Sequence, residues 1–266
     1  MRAAMRVFDF NRAIARTPGE TVIHGLRAGD QPDPSFEGVL REHAAYLAAL
    51  RSAGVEVTLL PALPEFPDSM FVEDPALVFP EGAILLRPGA PSREHEAAHL
   101  APELNSHFAE VLDLPEGHAD GGDVLLTPGG RVFIGLSART DAAGAAALIR
   151  QLDRLGYKGE IAHTPPGTLH LKTASSLIDE ETILATEALA ASGVFNGFRV
   201  LTVPAGEEGG ANVLRANAHL LTGNRYPRTL EMLDRFGAKL IPLEVEQISR
   251  IDAGLTCMSL RWWAGV

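Results

Sequence analysis

The feature that most constrains the fold is a local pattern that recurs along the chain. In each copy a short apolar strand ends near a proline, and a β-hairpin with typical turn residues follows a little later. The strands lie about 40 to 55 residues apart, at Val55–Pro61, Val111–Pro115, Glu160–Pro165, Arg199–Pro204 and Lys239–Pro242. The hairpins are Ala76–Phe79 with Ile84–Arg87, Asp123–Thr127 with Val132–Gly135, Ser175–Ile178 with Thr182–Ala185, and Asn212–Arg215 with Ala218–Thr222. Such spacing indicates a repeat architecture.

The fifth hairpin is missing from this series. The C-terminal run Cys257–Trp262 has no strand after it, and the N-terminal run Arg12–Arg16 has no partner before it. Pairing the two runs would close a ring of five strand-strand-helix-strand units and leave no exposed sheet edge at the closure. The alternative is an open α/β sheet with loosely similar turns. The regularity of the copies favours the ring, built as a single α/β domain over residues 1–266.

Helices are predicted between each hairpin and the next strand of the series. Capping residues and apolar periodicity define their ends. The signals are Asp33-Pro34 and Gly54 for the first helix, Ser92 for the start of the second, Thr140 or Asp141 and Gly156 for the third, and Leu230, Leu233, Phe236 and Gly237 for the fourth.

Composition narrows the class of partner. Hydrophobic residues make up 46% of the chain, which supports a sizeable core and excludes a disordered protein. The formal charge of −11 argues against nucleic acid and anionic membranes, and it suits a cationic small molecule. No apolar run is long enough for a membrane span, and Met1–Asn11 lacks the apolar centre of a signal peptide. A cytoplasmic protein is therefore expected.

Cys257 is the only cysteine in the sequence. It can form neither an internal disulfide nor a cysteine-rich metal site. Two interpretations stay open: a small buried hydrophobic residue, or a nucleophile whose pKa a neighbouring cation or base lowers. Histidines at metal-ligating spacing are also missing from the sequence, so no metal site is predicted.

Three acids cluster in an apolar segment. Met70–Phe79 is predicted to be a buried strand, which Glu73 and Asp74 interrupt, and Asp68 lies just upstream. A buried carboxylate without a partner is strongly unfavourable. Either the acids line a dry cavity that receives a cation, or arginine and lysine side chains from elsewhere pair with them.

Further polar groups could face the centre of the ring. The Asp-Gly-Gly-Asp segment 120–123 could reach the cavity or form a solvated turn. Thr168–Lys172 alternates as a strand does, which places His170 on a polar face, either as an acid/base group or as an ordinary surface histidine. Arg93 and Arg139 each follow a hairpin. They could clamp a carboxylate bidentately, or be exposed charges near helix starts.

Six short motifs carry a family resemblance. They are Phe71-Val72-Glu73-Asp74, Gly89-Ala90-Pro91-Ser92-Arg93, Asp120-Gly121-Gly122-Asp123-Val124-Leu125, Gly135-Leu136-Ser137-x-Arg139-Thr140, His170-Leu171-Lys172 and Leu255-Thr256-Cys257. Together they resemble the dimethylarginine dimethylaminohydrolase family of guanidino-group-modifying enzymes, from about Leu26 to the C-terminus. The resemblance implies a five-bladed α/β propeller, or pentein, of ββαβ units around a central active-site cavity. It also implies hydrolysis of Nω-methylated L-arginine to L-citrulline and methylamine or dimethylamine, without a metal or organic cofactor.

The resemblance further implies a role for each candidate site residue. Cys257 corresponds to the nucleophile, His170 to the general acid/base, and Asp120 to the carboxylate that orients the histidine. The substrate-binding positions are Leu26, Asp68, Phe71, Glu73, Asp74, Arg93, Arg139, Ile251 and Asp252. A small-molecule partner follows, and a homodimer is compatible. The alternatives are hydrolysis of free arginine, amidinotransfer on the same fold, and a non-catalytic propeller that acts as a binding scaffold.

Overall fold

The computed structural model describes residues 7–265, and within them fifteen strands form five three-stranded sheets. The strands are β1 (Arg12–Arg16), β2 (Glu56–Leu60), β3 (Ala76–Phe79), β4 (Gly82–Leu85), β5 (Val111–Asp113), β6 (Val124–Thr127), β7 (Arg131–Leu136), β8 (Lys158–His163), β9 (Ser175–Leu177), β10 (Thr182–Ala185), β11 (Arg199–Thr202), β12 (Leu214–Ala216), β13 (His219–Gly223), β14 (Lys239–Leu243) and β15 (Leu260–Trp262). The predicted domain also covers residues 1–6 and 266, which lie outside this range.

All five sheets share one construction, as the repeat pattern predicts. Two strands form an antiparallel hairpin, and the third strand pairs in parallel with the middle one. We number the sheets in ring order: first β3-β4-β5, second β6-β7-β8, third β9-β10-β11, fourth β12-β13-β14, and fifth β15-β1-β2. In each sheet, the hairpin strand at the sheet edge is called the inner strand. The inner strands are β3, β6, β9, β12 and β15. Inner strands β15 and β3, β6 and β9, and β9 and β12 lie against one another.

The two ends of the described chain close the ring. Strand β1 pairs antiparallel with β15, with Arg12 opposite Trp262 and Ile14 opposite Leu260, and it pairs in parallel with β2. The Asn11 side chain also donates to the carbonyl of Ala264 at 3.0 Å. The predicted fifth hairpin is therefore confirmed, and so is the five-unit α/β propeller.

The helices follow the predicted order, with shifted starts. They are α1 (Phe36–Ser52), α2 (Ala101–His107), α3 (Ala142–Arg154), α4 (Glu187–Ala191), α5 (Pro227–Asp234) and α6 (Glu246–Ser249). The short helices α4 and α6 are not in the prediction. None of the helices between residues 7 and 265 combines the length and apolar character needed to cross a membrane.

Two predicted helix starts are wrong, and the capping contacts show why. Ser35, not Asp33, caps α1, because its hydroxyl accepts from Gly38 N while Asp33 pairs with Arg27. The second helix does not begin at Ser92. The chain there forms two 3₁₀ turns, at 91–93 and 96–99, before α2. Asp141 caps α3 by accepting from Gly144 N at 2.7 Å, as one of the two alternatives predicts.

The core lies between each sheet and its helices. Tyr46 and Leu50 of α1 are fully buried in one cluster, and Leu148 and Leu152 of α3 are fully buried in another. Tyr46 also holds the end of the chain, because its hydroxyl lies 2.6 Å from the Ser259 hydroxyl, just before β15. The packing of α1 on the outside of the ring thus helps to fix the loop before β15.

Candidate active site

A polar residue lies shortly before the inner strand in each of the five sheets. Each lies in the loop that leads into an inner strand, so the ring brings the loops together at one end. They are Asp74 in the first sheet, Asp120 in the second, His170 in the third, Asn212 in the fourth and Cys257 in the fifth. The repeat thereby assembles, from distant parts of the sequence, a site that no single unit contains.

The Cys257 thiol is buried at the base of a small cavity, with 9% of the residue exposed. Gly254 N donates to Sγ at 3.5 Å, and Cys257 N donates to Gly254 O at 3.3 Å. Burial, followed by the negative charges of Glu73 and Asp74, raises the pKa of the Cys257 thiol to about 12. The free protein therefore holds this thiol in its neutral form near pH 7.

His170 lines the same cavity and is held by Asp120. Its Nε2 lies 3.0 Å from Asp120 Oδ2, and Asp120 Oδ1 accepts from Gly89 N at 2.8 Å. Burial alone lowers the pKa of His170, but Asp74, Asp120 and Asp123 together raise it to about 9. The imidazole is therefore protonated near pH 7 and can donate a proton.

The segment around His170 is not the predicted strand. Residues 171–173 form a 3₁₀ turn, which Asp123 fixes by accepting from Leu171 N at 2.9 Å. Asp123 is fully buried and also accepts from the hydroxyls of Ser137 and Thr140, at 2.6 and 2.7 Å. It therefore supports the His170 loop and does not face the cavity.

A close backbone approach brings His170 and Asp74 together. A Cβ atom on Gly122 would lie 2.8 Å from the His170 ring and 2.9 Å from Asp74 Oδ1. Only glycine leaves room there, and Gly122 N donates to Asp74 Oδ1 at 3.0 Å. The close approach of His170 and Asp74 thus explains why the second position after Asp120 is a glycine.

The predicted strand Met70–Phe79 is wrong in its first half, because β3 begins only at Ala76. Asp68, Glu73 and Asp74 therefore lie in turns. Asp68 accepts from Leu26 N at 3.0 Å, and burial raises its pKa. Asp74 contacts Arg93 through Oδ2. Burial acts to raise the pKa of Asp74, but Arg93, His170 and Gly122 N outweigh it and lower the pKa. Asp74 is therefore ionised beside the thiol.

Arg93 and Arg139 reach the same cavity with different numbers of partners. Arg93 bonds Glu96 through Nε and Nη2, Asp74 through Nη1, and the Phe71 carbonyl through Nη2. Four of the five guanidinium N–H groups are thereby in use. The Arg139 guanidinium forms no hydrogen bond or ion pair with any residue in the range 7–265. We call Asp68, Asp74, Arg93 and Arg139 the front cluster.

Glu73 lies behind the thiol instead of in the cavity. Its Oε1 contacts Lys172 Nζ at 2.7 Å and Arg261 Nη2 at 2.9 Å, while Oε2 is buried without a partner among the described residues. Glu73 does not line this cavity, so its predicted contact with substrate stays a prediction. We call Glu73, Lys172 and Arg261 the rear cluster.

A loop that follows the 3₁₀ turn at 20–24 covers the cavity. Ala28 N donates to the Asp252 carboxylate, and Asp252 itself has a left-handed backbone with φ of 54°. The cavity has a volume of about 30 Å³ and room for one water molecule. Its lining is Leu26, Asp68, Phe71, Asp74, Arg93, Arg139, Leu169, His170, Ile251, Asp252, Ala253 and Cys257. Asp120 lies behind His170, and Leu169 and Ala253 are wall residues that the sequence did not indicate.

Asp74, Asp120 and His170 also offer ligand atoms within 4.8 Å of one another, which is compatible in distance with a metal ion. Their lone pairs are already engaged by Arg93, Gly122 N and Gly89 N. The guanidinium beside Asp74 would repel a cation. The group therefore fits a hydrogen-bond network better than a metal site.

Comparison with known proteins identifies the family. A family model described as "Arginine deiminase" matches residues 61–222. The N(G),N(G)-dimethylarginine dimethylaminohydrolase of Pseudomonas aeruginosa is 34% identical over 95% of this chain and 100% of its own. A cysteine-to-serine variant from that organism, in complex with citrulline, superimposes with a TM-score of 0.92 over 96% of this chain and 100% of its own.

A second solved structure supports the same assignment. It is a dimethylarginine dimethylaminohydrolase with a histidine-to-glycine replacement, as an adduct with S-methyl-L-thiocitrulline. It is 34% identical to this chain, with a TM-score of 0.91 over 95% of this chain and 99% of its own. The five-unit ring and the level of identity agree: the chain belongs to the dimethylarginine dimethylaminohydrolase family.

Proposed function

We propose that the protein hydrolyses Nω-methylated L-arginine to L-citrulline and methylamine or dimethylamine. The observation that carries the proposal is the meeting of Cys257, protonated His170 and ionised Asp74 in one closed cavity beside Arg139. A thiol, a proton donor and a carboxylate are what substitution at a guanidinium carbon requires. The family to which the chain belongs supports the same reaction.

The front cluster would bind the two charged ends of the substrate. Asp74, with Asp68, would face the guanidinium and concentrate its charge, while Phe71 forms a wall. Arg139 would bind the α-carboxylate bidentately, because its planar fork is unpaired. Arg93 can add at most one hydrogen bond, since its other N–H groups are in use.

The remaining contacts would come from the covering loop. The carbonyls of Leu26 and Ile251, with Asp252, would meet the α-amino group. Because the cavity holds about one water molecule, the loop that contains Leu26 must open before an amino acid can bind. Closure then returns the Ala28–Asp252 contact and excludes solvent from the reacting atoms.

The first chemical step would form a bond between Sγ and the guanidinium carbon. Substrate binding brings a positive charge beside the thiol and offsets the carboxylates that raise its pKa, so the thiol loses its proton to solvent. The thiolate attacks, and the carbon–nitrogen bond to the methylated amine breaks. His170 donates a proton to the departing amine, which leaves a covalent thiouronium on Cys257 and a neutral imidazole.

The second step would release citrulline. Neutral His170 takes a proton from a water molecule, and the hydroxide attacks the thiouronium carbon. The carbon–sulfur bond breaks, the hydroxyl proton leaves to solvent as the citrulline carbonyl forms, and the thiolate regains a proton from solvent. Asp120 holds His170 through both steps. The sequence balances with water as the only co-reactant and uses no metal or organic cofactor.

A test is Cys257→Ser with turnover of asymmetric dimethylarginine by purified protein. We expect turnover to fall at least about a thousandfold, because a hydroxyl is a far weaker nucleophile, while citrulline binding stays within threefold. Rapid-quench mass spectrometry of the wild type should show an adduct on the peptide containing Cys257. Substantial residual turnover in the variant, or no adduct, contradicts the covalent route.

Hydrolysis of free L-arginine is the second candidate, because the matching family model is described as "Arginine deiminase". Parallel kcat/KM measurements on dimethylarginine, arginine and agmatine separate the candidates. Agmatine lacks the carboxylate and should be a poor substrate in either case. A higher kcat/KM for arginine than for dimethylarginine would favour the second candidate.

We also propose that residues 1–266 act as one catalytic domain, because the site takes residues from the loops of all five sheets. A reactive thiol needs a reducing compartment, which supports the expected cytoplasmic location. The small-molecule substrate is the proposed partner, and the charge of −11 argues against nucleic acid and anionic membranes.

A further inference from the structure

Asn212 lies in the loop that leads into the inner strand of the fourth sheet, yet the proposed mechanism gives it no role. It is buried, with 8% of the residue exposed, and lies two residues before the first residue of β12. It does not line the cavity that contains the thiol. Its side chain instead runs between the two loops that carry the reacting groups.

The amide of Asn212 makes three hydrogen bonds to those loops. Nδ2 donates to Lys172 O at 2.8 Å and to the Thr256 hydroxyl at 3.1 Å, and Oδ1 accepts from Thr256 N at 3.2 Å. Lys172 closely follows His170, and Thr256 directly precedes Cys257. One amide group therefore joins the histidine loop to the thiol loop.

A steric contact makes the same link tighter. A Cβ atom on Gly254 would lie 2.4 Å from both Cγ and Oδ1 of Asn212, so the loop packs directly on the amide. Gly254 N is the donor that faces Sγ of Cys257. A shift of Asn212 would therefore move both the backbone next to the thiol and the donor that contacts it.

We infer that Asn212 is a positioning residue for the proposed hydrolysis, which sets the separation of Cys257 and His170. The inference rests on the proposed function. The side chain must be an amide, because the site needs a donor toward Lys172 O and an acceptor toward Thr256 N at the same time. Aspartate has the same shape but cannot donate, so it would leave the Lys172 carbonyl without this partner.

Asn217 provides a matched control in the same sheet. Its Nδ2 donates to the carbonyls of Phe10 and Ala53, and its Oδ1 accepts from Phe10 N, all at 2.8 to 3.0 Å. The chemistry equals that of Asn212, but the partners lie away from the reacting groups. Asn217→Asp therefore reports what losing such a bridge does to the fold alone.

The experiment compares Asn212→Asp with Asn217→Asp in kcat, KM, thermal unfolding and the rate of Cys257 alkylation by iodoacetamide at fixed pH. For Asn212→Asp we expect kcat to fall roughly tenfold to a hundredfold, with KM within about threefold and slower alkylation. Asn217→Asp should lower the unfolding temperature but keep kcat and the alkylation rate. Unchanged kcat and alkylation in Asn212→Asp, or an equal loss of kcat in both variants, overturns the inference.

Thr256→Val keeps the inference testable if Asn212→Asp does not fold. It removes only the hydroxyl that accepts from Asn212 Nδ2 and retains the backbone contact. We expect a severalfold loss of kcat with KM nearly unchanged, whereas wild-type kcat would count against the positioning role. If the wild type does not turn over methylated arginine, the proposed function is refuted. The alkylation rates still test whether Asn212 positions Cys257, because alkylation needs no substrate.

Discussion

The front and rear clusters both combine carboxylates with cationic side chains, but they differ in which group is left without a partner. In the rear cluster, both cations contact one carboxylate oxygen of Glu73. In the front cluster, Arg139 has no partner among the described residues, and burial raises the pKa of Asp68. The rear cluster thus pairs both of its cations but leaves Glu73 Oε2 without a partner among the described residues, whereas the front cluster leaves the Arg139 guanidinium without one.

The difference shows how to assign charged residues near a reactive group. Glu73 and Asp74 are adjacent in sequence, and burial and charge alone do not distinguish them. Their partners do: Glu73 contacts Lys172 and Arg261, whereas Asp74 contacts Arg93 and lines the cavity with the thiol and the histidine. Single substitutions in each cluster, measured for both stability and substrate binding, therefore test which residues serve the fold and which bind substrate.

The largest expected effect is on stability in the rear cluster. Glu73→Ala leaves Lys172 and Arg261 without their shared carboxylate in a buried setting, which should lower the free energy of unfolding by about 3–5 kcal/mol. Urea unfolding measures it, and Glu180→Ala at an exposed position is the control. If KM rises tenfold while stability stays unchanged, Glu73 belongs with the ligand-binding groups.

The second effect concerns the proton on His170, which lies in the cavity beside Asp74 of the front cluster. Its folded pKa of about 9 exceeds the ordinary value of 6.5, so this stabilisation is fully present below pH 6.5 and is lost as the pH rises to 9. The difference corresponds to about 3 kcal/mol. Unfolding of wild type and His170→Gln should be compared from pH 6.5 to 9, where the variant should show a flatter dependence.

Titration of the other buried groups falls outside this window. Burial lowers the pKa of His43 to about 4, and its effect appears only as the pH falls below 6.5. The Cys257 thiol, with its pKa raised to about 12, adds a loss of stability only above pH 9. A flat wild-type profile between pH 6.5 and 9 would show that His170 is not held as a cation.

Substrate binding should separate the two arginines of the front cluster. Arg139→Lys loses a bidentate contact to the carboxylate worth about 1.5–3 kcal/mol, so KM should rise roughly tenfold to a hundredfold while thermal unfolding stays unchanged. Arg93→Lys should lower stability as well, because Glu96, Asp74 and the Phe71 carbonyl lose their donors. Equal effects of both changes on stability would remove the proposed distinction.

The smallest expected effect belongs to the partner of His170. Asp120→Asn keeps the shape of the side chain but removes a negative charge that raises the histidine pKa. The pH dependence of kcat should shift to lower pH, and kcat should fall roughly threefold to tenfold. A pH–rate profile identical to that of the wild type would place Asp120 outside the acid/base pair.

The sequence predicted the ring because strand, turn and proline signals are local and recur. It could not predict the direction of single side chains within irregular loops. Alternation around His170 suggested a strand, whereas the bond from Leu171 N to Asp123 imposes a 3₁₀ turn. Glu96 gave no signal at all, since its role depends on the inward turn of Arg93.

Some of the site was within reach of the sequence and some was not. The resemblance indicated every lining residue of the cavity except Leu169 and Ala253, because its short motifs lie in the loops that surround the cavity. It also placed Glu73 among the substrate-binding residues, which stays a prediction, and no sequence pattern shows that Glu73 contacts Lys172 and Arg261. Asn212 was predicted only as the start of a hairpin, because its bonds to Thr256 join positions 44 apart that no local pattern connects.

The pairing of β1 with β15 has a consequence for how the protein becomes active. Residues 253 positions apart, Asn11 and Ala264, meet in that sheet, so the contact has the greatest loop-closure cost of the ring. Cys257 lies in the loop that this pairing fixes. During synthesis the other four sheets can assemble first, while the thiol has no histidine or carboxylate beside it. Chemical reactivity should therefore appear late and abruptly in folding, and a stalled or truncated chain should be inert.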